Sequence, residues 1–151
     1  MSASRKCSKV PPPPENKYIA HEIEISESLE RLDNYKLRSL YHSITDIELK
    51  GHCPLIAVGV WSFFETMSAV AGRKNSTDFV AFFSKTKLQS YGLSGQAKPI
   101  RSALGRIQEF GNHTKHHPIS AAFNGEQINN DMATLKDLVI KCLEEAEQNK
   151  T

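Results

Sequence analysis

The chain has 151 residues, of which 39% are hydrophobic and 24% are charged, and its formal net charge at pH 7 is +2. This length and composition predict one soluble globular domain with a proper core, and so small a charge does not by itself indicate a nucleic-acid partner. The three widely spaced cysteines, without a Cys-x-x-Cys pair, argue against a disulfide framework or a cysteine zinc site.

Residues 1 to about 17 are polar and basic and contain four consecutive prolines, Pro11 to Pro14. Proline runs favour an extended conformation without internal hydrogen bonds, so we expect a tail or linker here and the folded domain over residues 18–151. A docking ligand for a proline-recognition module is the alternative. Because no secretory signal is evident and no apolar run approaches the roughly 20 residues of a membrane span, we expect a cytoplasmic protein without a membrane partner.

Helical periodicity begins near Ser26 and predicts two helices in the first half of the domain. The first covers residues 27–49 and ends at Gly51, and the second covers residues 55–70 and ends at Gly72, with Pro54 in its first turn. The second helix is apolar nearly all round, so we expect it to be the central and most buried element. The apolar positions of these two helices are Leu29, Leu32, Leu40, Ile44, Ile47, Leu55, Ile56, Val58, Val60, Trp61, Phe63, Phe64, Met67 and Val70.

Three more helices are predicted in the second half. Ser76-Thr77-Asp78 is a suitable N-terminal cap for the third, Pro99 begins the fourth, and the last begins near Asn130-Asp131. Only residues 119–128 look non-helical, where Asn124-Gly125 indicates either a short hairpin turn or a plain loop. The sequence therefore predicts an all-α bundle of about five helices.

The end of the fourth helix carries a cluster of polar side chains in the segment from Gly111 to Pro118. Half of the chain's six histidines lie there, namely His113, His116 and His117. A histidine can both take and give a proton near neutral pH, so the cluster is a candidate for acid–base chemistry. An alternative interpretation is a helix C-terminus at which cationic side chains interact with the last carbonyl groups.

The helical pattern and the motif Asn112-x-x-x-His116 together resemble the HEPN superfamily. Members of that superfamily are all-α domains, often dimeric, and many are metal-independent ribonucleases of toxin–antitoxin or phage-defence systems. Their motif is an arginine followed by four to six residues and a histidine, with a polar residue commonly after the arginine. In one register Gly111 takes the arginine position, and in the other Arg106 pairs with His113 while Ile107 takes the polar position.

The resemblance implies that the protein binds or cleaves RNA as a homodimer, without a cofactor, with an antitoxin or another protein as a further partner. Cleavage through the 2′-hydroxyl would need an acid–base group and positive charge at the phosphate. We expect His116 to be the acid–base group, Asn112 to orient it and His113, on the same face as His116, to be a further catalytic residue. The cations expected to face RNA are Arg106, Lys115 and Arg101, with His117 at the exit of the helix.

Two other interpretations remain open at this point. Glu109, His113 and His117 are spaced four apart and could supply ligands to zinc, although Pro118 disfavours helical geometry at His117. Alternatively, the domain is a non-catalytic dimerisation or protein-interaction module in which the Asn112–His116 segment only caps a helix.

Overall fold

A computed structural model describes residues 16–116 and 124–150 of the chain. Over those residues the protein consists of eight α-helices and one short 3-10 helix, and it contains no strand. The all-α prediction is therefore confirmed, whereas the count of about five helices is wrong because several predicted helices are interrupted. The helices are α1 (Ile23–Leu32), α2 (Tyr35–Asp46), α3 (Cys53–Val70), α4 (Phe79–Phe82), α5 (Lys85–Ser90), α6 (Ala97–His116), α7 (Gly125–Thr134) and α8 (Lys136–Asn149).

The first predicted helix is two helices, α1 and α2, separated at Asp33 and Asn34. Asp33 takes the left-handed conformation with φ 56°, and its backbone N–H donates to the carbonyl of Leu29. Asn34 then caps α2, because its side chain accepts a hydrogen bond of 3.0 Å from the N–H of Leu37. Aspartate tolerates the left-handed conformation better than most residues other than glycine, and asparagine is a preferred N-cap, so Asp33 ends α1 and Asn34 begins α2.

Helix α3 lies at the centre of the bundle, where it packs against α2, α6 and α8. Its first turn contains Pro54 and its chain exit passes through Gly72, which has φ 109°, as the sequence predicted. Seven of its 18 residues are buried, including the two fully buried side chains of Phe63 and Phe64. The helix is not buried all round, however, because the side chain of Leu55 is 59% exposed.

By length and composition alone, α3 meets the criteria for a helix that could cross a membrane. The expectation that no apolar segment approaches a membrane span is therefore revised. One such helix is weak evidence for a span, because the core helix of a soluble protein meets the same criteria.

The third predicted helix is also divided, into α4 and α5. Asp78 caps α4 by accepting a hydrogen bond of 2.8 Å from the N–H of Ala81. Ser84 begins α5 in the same way, accepting from the N–H of Lys87. Because each cap begins a separate helix, the segment forms two short helices in place of one.

The last predicted helix is the pair α7 and α8, which meet at the buried residue Leu135. The side chain of Asn124 accepts a hydrogen bond of 2.8 Å from the N–H of Glu126, so Asn124 is the N-cap of α7. Both alternatives for Asn124-Gly125, a hairpin turn and a plain loop, are therefore wrong, because the asparagine begins a helix that starts several residues earlier than predicted.

Candidate functional site

Helix α6 carries six of the seven predicted site residues, and the seventh, His117, lies outside the described residues. The buried side of α6 is formed by Ile100, Ala103, Leu104, Ile107 and Gly111. Because successive residues turn by about 100°, the predicted site residues fall on two different flanks of this buried side. One flank carries Arg106 and His113, whereas the other carries Arg101, Asn112 and Lys115, and His116 lies on the solvent side next to it.

Arg106 is held by the carboxylate of Asp131 on α7. The guanidinium donates from Nε to both carboxylate oxygens at 3.1 and 3.2 Å and from Nη2 to Oδ1 at 2.8 Å. The hydrogen bond from Arg106 to Asp131 raises the pKa of the guanidinium. Asp131 is 2% exposed and also accepts from Gln127, whereas Arg106 is 38% exposed. The predicted phosphate-facing role is thus opposed by a carboxylate that offsets the charge of Arg106 and ties α6 to α7.

Gly111 lies where α6 packs against Trp61 of α3. A Cβ atom at this position would lie 2.4 Å from Cγ and 2.5 Å from Cβ of Trp61, well inside van der Waals contact. The position therefore has no space for any side chain. When Asn112 and His116 are matched to the motif of the HEPN superfamily, Gly111 takes the position of the motif's arginine. The packing of the Trp61 indole excludes an arginine at this position.

Three predicted site residues lie exposed at the end of α6. Asn112 and His116 are one helical turn apart, so their side chains emerge on neighbouring stretches of the same surface. The ammonium of Lys115 lies 4.2 Å from the centre of the Trp61 ring, a cation–π geometry. His113 is half-buried on the other flank. The structure therefore keeps Asn112 and His116 on one exposed surface, with the half-buried His113 one turn before His116, whereas Lys115 lies over Trp61 and Arg106 is bound to Asp131.

At the opposite end of α6, two lysines that were not predicted as site residues lie beside Arg101. Arg101 lines an open cleft of about 720 Å³ together with Lys98 on α6 and Lys85 on α5. The Nη1 atom of Arg101 donates to the carbonyl of Phe83 at 3.3 Å. Lys98 was detectable from the sequence, because it lies three residues before Arg101, but Lys85 is brought here only by the fold.

We define the basic stripe as the row of α6 residues that alternates three and four apart and joins these two ends. It consists of Lys98, Arg101, Gly105, Gln108, Asn112 and Lys115. Its length is about 26 Å at 1.5 Å per residue. The only acidic residue at its edge on α6 is Glu109, which projects on the side away from Lys115.

The three cations of the basic stripe form no ion pair with a carboxylate in the part of the chain that the structure describes. Ion pairs occupy other basic residues of the domain, namely Arg31, Arg38, Arg73, Lys87, Arg106, Lys136 and Lys141. No carboxylate in residues 16–116 or 124–150 pairs with the stripe, so its charge is available to an anionic ligand.

The metal interpretation gains no support from the geometry. Within residues 16–116 and 124–150, no group of three or more histidine, cysteine, aspartate or glutamate side chains is close enough to hold a metal ion. Glu109 and His113 are described, but the third proposed ligand, His117, lies outside the described residues.

A separate polar cavity of about 360 Å³ lies between α1 and α2. The hydroxyl of Ser26 lies 2.7 Å from Nε2 of His21, and Arg38 donates to Asp33 at 2.7 Å beside it. No described carboxylate orients the other ring nitrogen of His21, so the pair lacks the third member of a catalytic triad. This cavity was not predicted from the sequence, because its residues share no motif.

Comparison with family models, with curated proteins and with solved structures gives no match for this chain. The structure establishes an all-α helical protein, and function has to be argued from the site itself.

Proposed function

We propose that this protein binds RNA through the basic stripe of α6, as a domain similar to the HEPN superfamily. The observation that carries the proposal is the alignment of Lys98, Arg101 and Lys115 on one side of one rigid helix, without carboxylate partners among the described residues. Positive charge along a groove or helix follows a phosphate backbone and contributes most of its sequence-independent affinity. A stripe of about 26 Å is long enough to contact several nucleotides.

The site favours binding over cleavage. The packing of Trp61 excludes an arginine at position 111, and the alternative arginine, Arg106, is held by Asp131. His116 and Asn112 remain exposed. Among the described residues, Lys115 is the one cation within a helical turn of His116 that is not paired with a carboxylate. Because stabilisation of the charged transition state is usually the largest contribution to such catalysis, we expect little or no ribonuclease activity.

The experiment measures the affinity of single-stranded RNA by fluorescence anisotropy at several salt concentrations. Removing two stripe cations with Lys98→Gln and Lys115→Gln should weaken binding and lower the slope of log K against log salt by about 1.4, which is two contacts at about 0.7 each. The matched control replaces Lys36 on α2 and Lys141 on α8 by glutamine, which removes the same charge from two helices other than α6. Equal losses in both double variants, or no binding by the wild type, would contradict the proposal.

The same samples test the catalytic alternative. Labelled RNA incubated with the protein in EDTA should stay intact over hours. If instead it is cut to products with 2′,3′-cyclic phosphate ends, and His116→Ala abolishes the cutting, the protein is a metal-independent ribonuclease and not merely a binding domain.

A second candidate function, homodimerisation or another protein interaction, is favoured by an apolar groove between α2 and α3. The groove has a volume of about 360 Å³, and Leu40, Ile47 and Val58 line it beside the exposed Leu55. Exposed apolar grooves commonly mark interaction sites. We expect the protein to be a dimer by light scattering and Leu55→Glu to produce a monomer, while a wild-type monomer at every concentration would exclude this function.

Resemblance to the HEPN superfamily also supplies the biological setting of the proposal. Many of its members act in toxin–antitoxin or phage-defence systems, so an antitoxin or another protein encoded nearby is the partner we propose. Co-purification from cells with a neighbouring gene product is the direct test, and purification of this chain alone under the same conditions would count against that partner.

A further inference from the structure

The cleft at the start of α6 differs in chemistry from the rest of the basic stripe. Three cations converge on it, because Lys85 of α5 joins Lys98 and Arg101 of α6. The hydroxyl groups of Ser94 and Ser102 lie on the same lining and form no described hydrogen bond with the protein. No carboxylate occurs among the described residues that line this cleft, so its charge is positive throughout.

We propose that this cleft binds the terminal phosphate of an RNA strand that lies along the basic stripe, an inference that rests on the RNA binding proposed above. A phosphodiester within a strand carries a single negative charge. A terminal phosphate monoester carries about −1.5 to −2 at pH 7 and offers three acceptor oxygens. Three cations and two hydroxyl donors around one cleft match the terminal group better than an internal one.

Size and position agree with this assignment. A volume of about 720 Å³ falls within the range of small-molecule sites and accommodates the last nucleotide together with its phosphate. Lys98, the first residue of the basic stripe, lines the cleft, so a strand that follows the stripe from Lys115 reaches the cleft. Ala97 and Lys98 of the first turn line the cleft, and the positive end of the helix dipole adds a favourable field there.

The test compares three oligoribonucleotides of about ten nucleotides and one sequence, with a 5′-phosphate, with a 3′-phosphate, or with neither. We expect one of the two phosphorylated strands to bind more tightly than the unphosphorylated strand by on the order of tenfold, the effect of about one charge-assisted hydrogen bond. Equal affinity of all three strands would overturn the inference while leaving the proposed RNA binding intact. Failure of the unphosphorylated strand to bind would instead overturn the proposed function.

Lys85 makes the test specific to the cleft, because it belongs to α5 and not to the basic stripe. In Lys85→Gln the affinity for the phosphorylated strand should fall to that for the unphosphorylated strand, so that the preference disappears, whereas the control Lys141→Gln should keep the preference. A preference that survives in Lys85→Gln, in protein with a wild-type circular dichroism spectrum, would contradict the assignment. Ser102→Ala is a second variant on the exposed side of α6 and should reduce the preference in part.

Free phosphate esters offer the same chemistry from another source. Inorganic phosphate and adenosine 5′-monophosphate are therefore titrated as competitors of the phosphorylated strand. Competition only at concentrations far above that of the strand supports recognition of a strand end. If adenosine 5′-monophosphate alone binds as tightly as the strand, and Lys85→Gln removes that binding, the cleft takes a free nucleotide and the strand-end assignment is wrong.

Discussion

Replacing Gly111 by alanine adds one methyl group at the crossing of α3 and α6. The added Cβ would lie 2.4, 2.5 and 2.7 Å from Cγ, Cβ and Cδ1 of Trp61, which are the atoms at the base of the side chain. Rotation of the indole about χ1 cannot move its Cβ away, so the two helices must separate by about 1 Å to reach ordinary contact. The same substitution at Gly105, also on α6, meets no atom within 4 Å.

The two substitutions share a gain in helix propensity of about 1 kcal/mol and differ only in this contact. Overpacking of a well-packed core costs about 1–3 kcal/mol. We expect a cost in the upper part of that range, because the added methyl group forces α3 and α6 apart. We therefore expect Gly111→Ala to lower the free energy of unfolding by about 2 kcal/mol, which is an overpacking cost of about 3 less the propensity gain of about 1. Gly105→Ala should raise it by about 1 kcal/mol.

Urea unfolding followed by circular dichroism measures the difference. With a slope of about 2 kcal/mol per molar urea, the midpoint should fall by about 1 M in Gly111→Ala and rise by about 0.5 M in Gly105→Ala. In a Trp61→Gly background, which removes the Cβ of residue 61 together with the indole, the clash is absent, so Gly111→Ala should there be stabilising. If Gly111→Ala is as stable as Gly105→Ala in the wild-type background, the close approach of Trp61 to α6 is refuted.

Three further predictions concern stability. Arg106→Ala should lower the free energy of unfolding by about 3 kcal/mol, because it leaves the buried carboxylate of Asp131 without its cation. Replacing both residues by apolar ones should lower it less. Equal losses for the single and the double variant in urea unfolding would contradict the ion pair. Burial raises the pKa of the Cys142 thiol to about 12, above its unfolded value near 9. The contribution of the neutral thiol to the free energy of unfolding is therefore fully present below about pH 9. It should decline by up to about 1.4 kcal/mol per pH unit from there to about pH 12. Cys142→Ala should flatten that decline, and an unchanged alkaline slope would exclude this cause. Asn34→Ala should lower the unfolding free energy by about 1 kcal/mol through loss of the α2 cap, and an unchanged melting temperature would show that the cap contributes nothing.

The helices that were predicted well carry strong local signals. Helix α3 has Pro54 in its first turn and a glycine after its end, and α6 has an uninterrupted apolar period. The interruption at Asp33 and Asn34 was missed because the apolar spacing continues on both sides of it. A capping asparagine was nevertheless visible in the sequence. At Leu135 the chain bends without glycine or proline, and only tertiary packing of that buried side chain fixes the break.

The candidate site was predicted only in part, because contacts between helices are not visible in the spacing along one helix. Spacing along α6 placed Asn112 and His116 on neighbouring positions of one helix, but it carried no information on contacts with other helices. Asp131, the partner of Arg106, is 25 residues away in the sequence, and Trp61 is 50 residues before Gly111. A glycine in the interior of a helix is a sign of close packing. Gly111 was therefore a visible sign of the contact with Trp61, but it was interpreted only as the absence of the motif's arginine.

The contact between Lys115 and Trp61 gives the protein an optical reporter of its own ligand site. Trp61 is the only tryptophan of the chain, so all indole emission comes from a ring whose face is covered by the Lys115 ammonium. Emission of an indole responds to the charge held above it. A phosphate that draws Lys115 away from the ring would therefore change the intensity or wavelength of that emission. Ligand binding at this end of α6 can thus be followed without a label, in the unmodified protein.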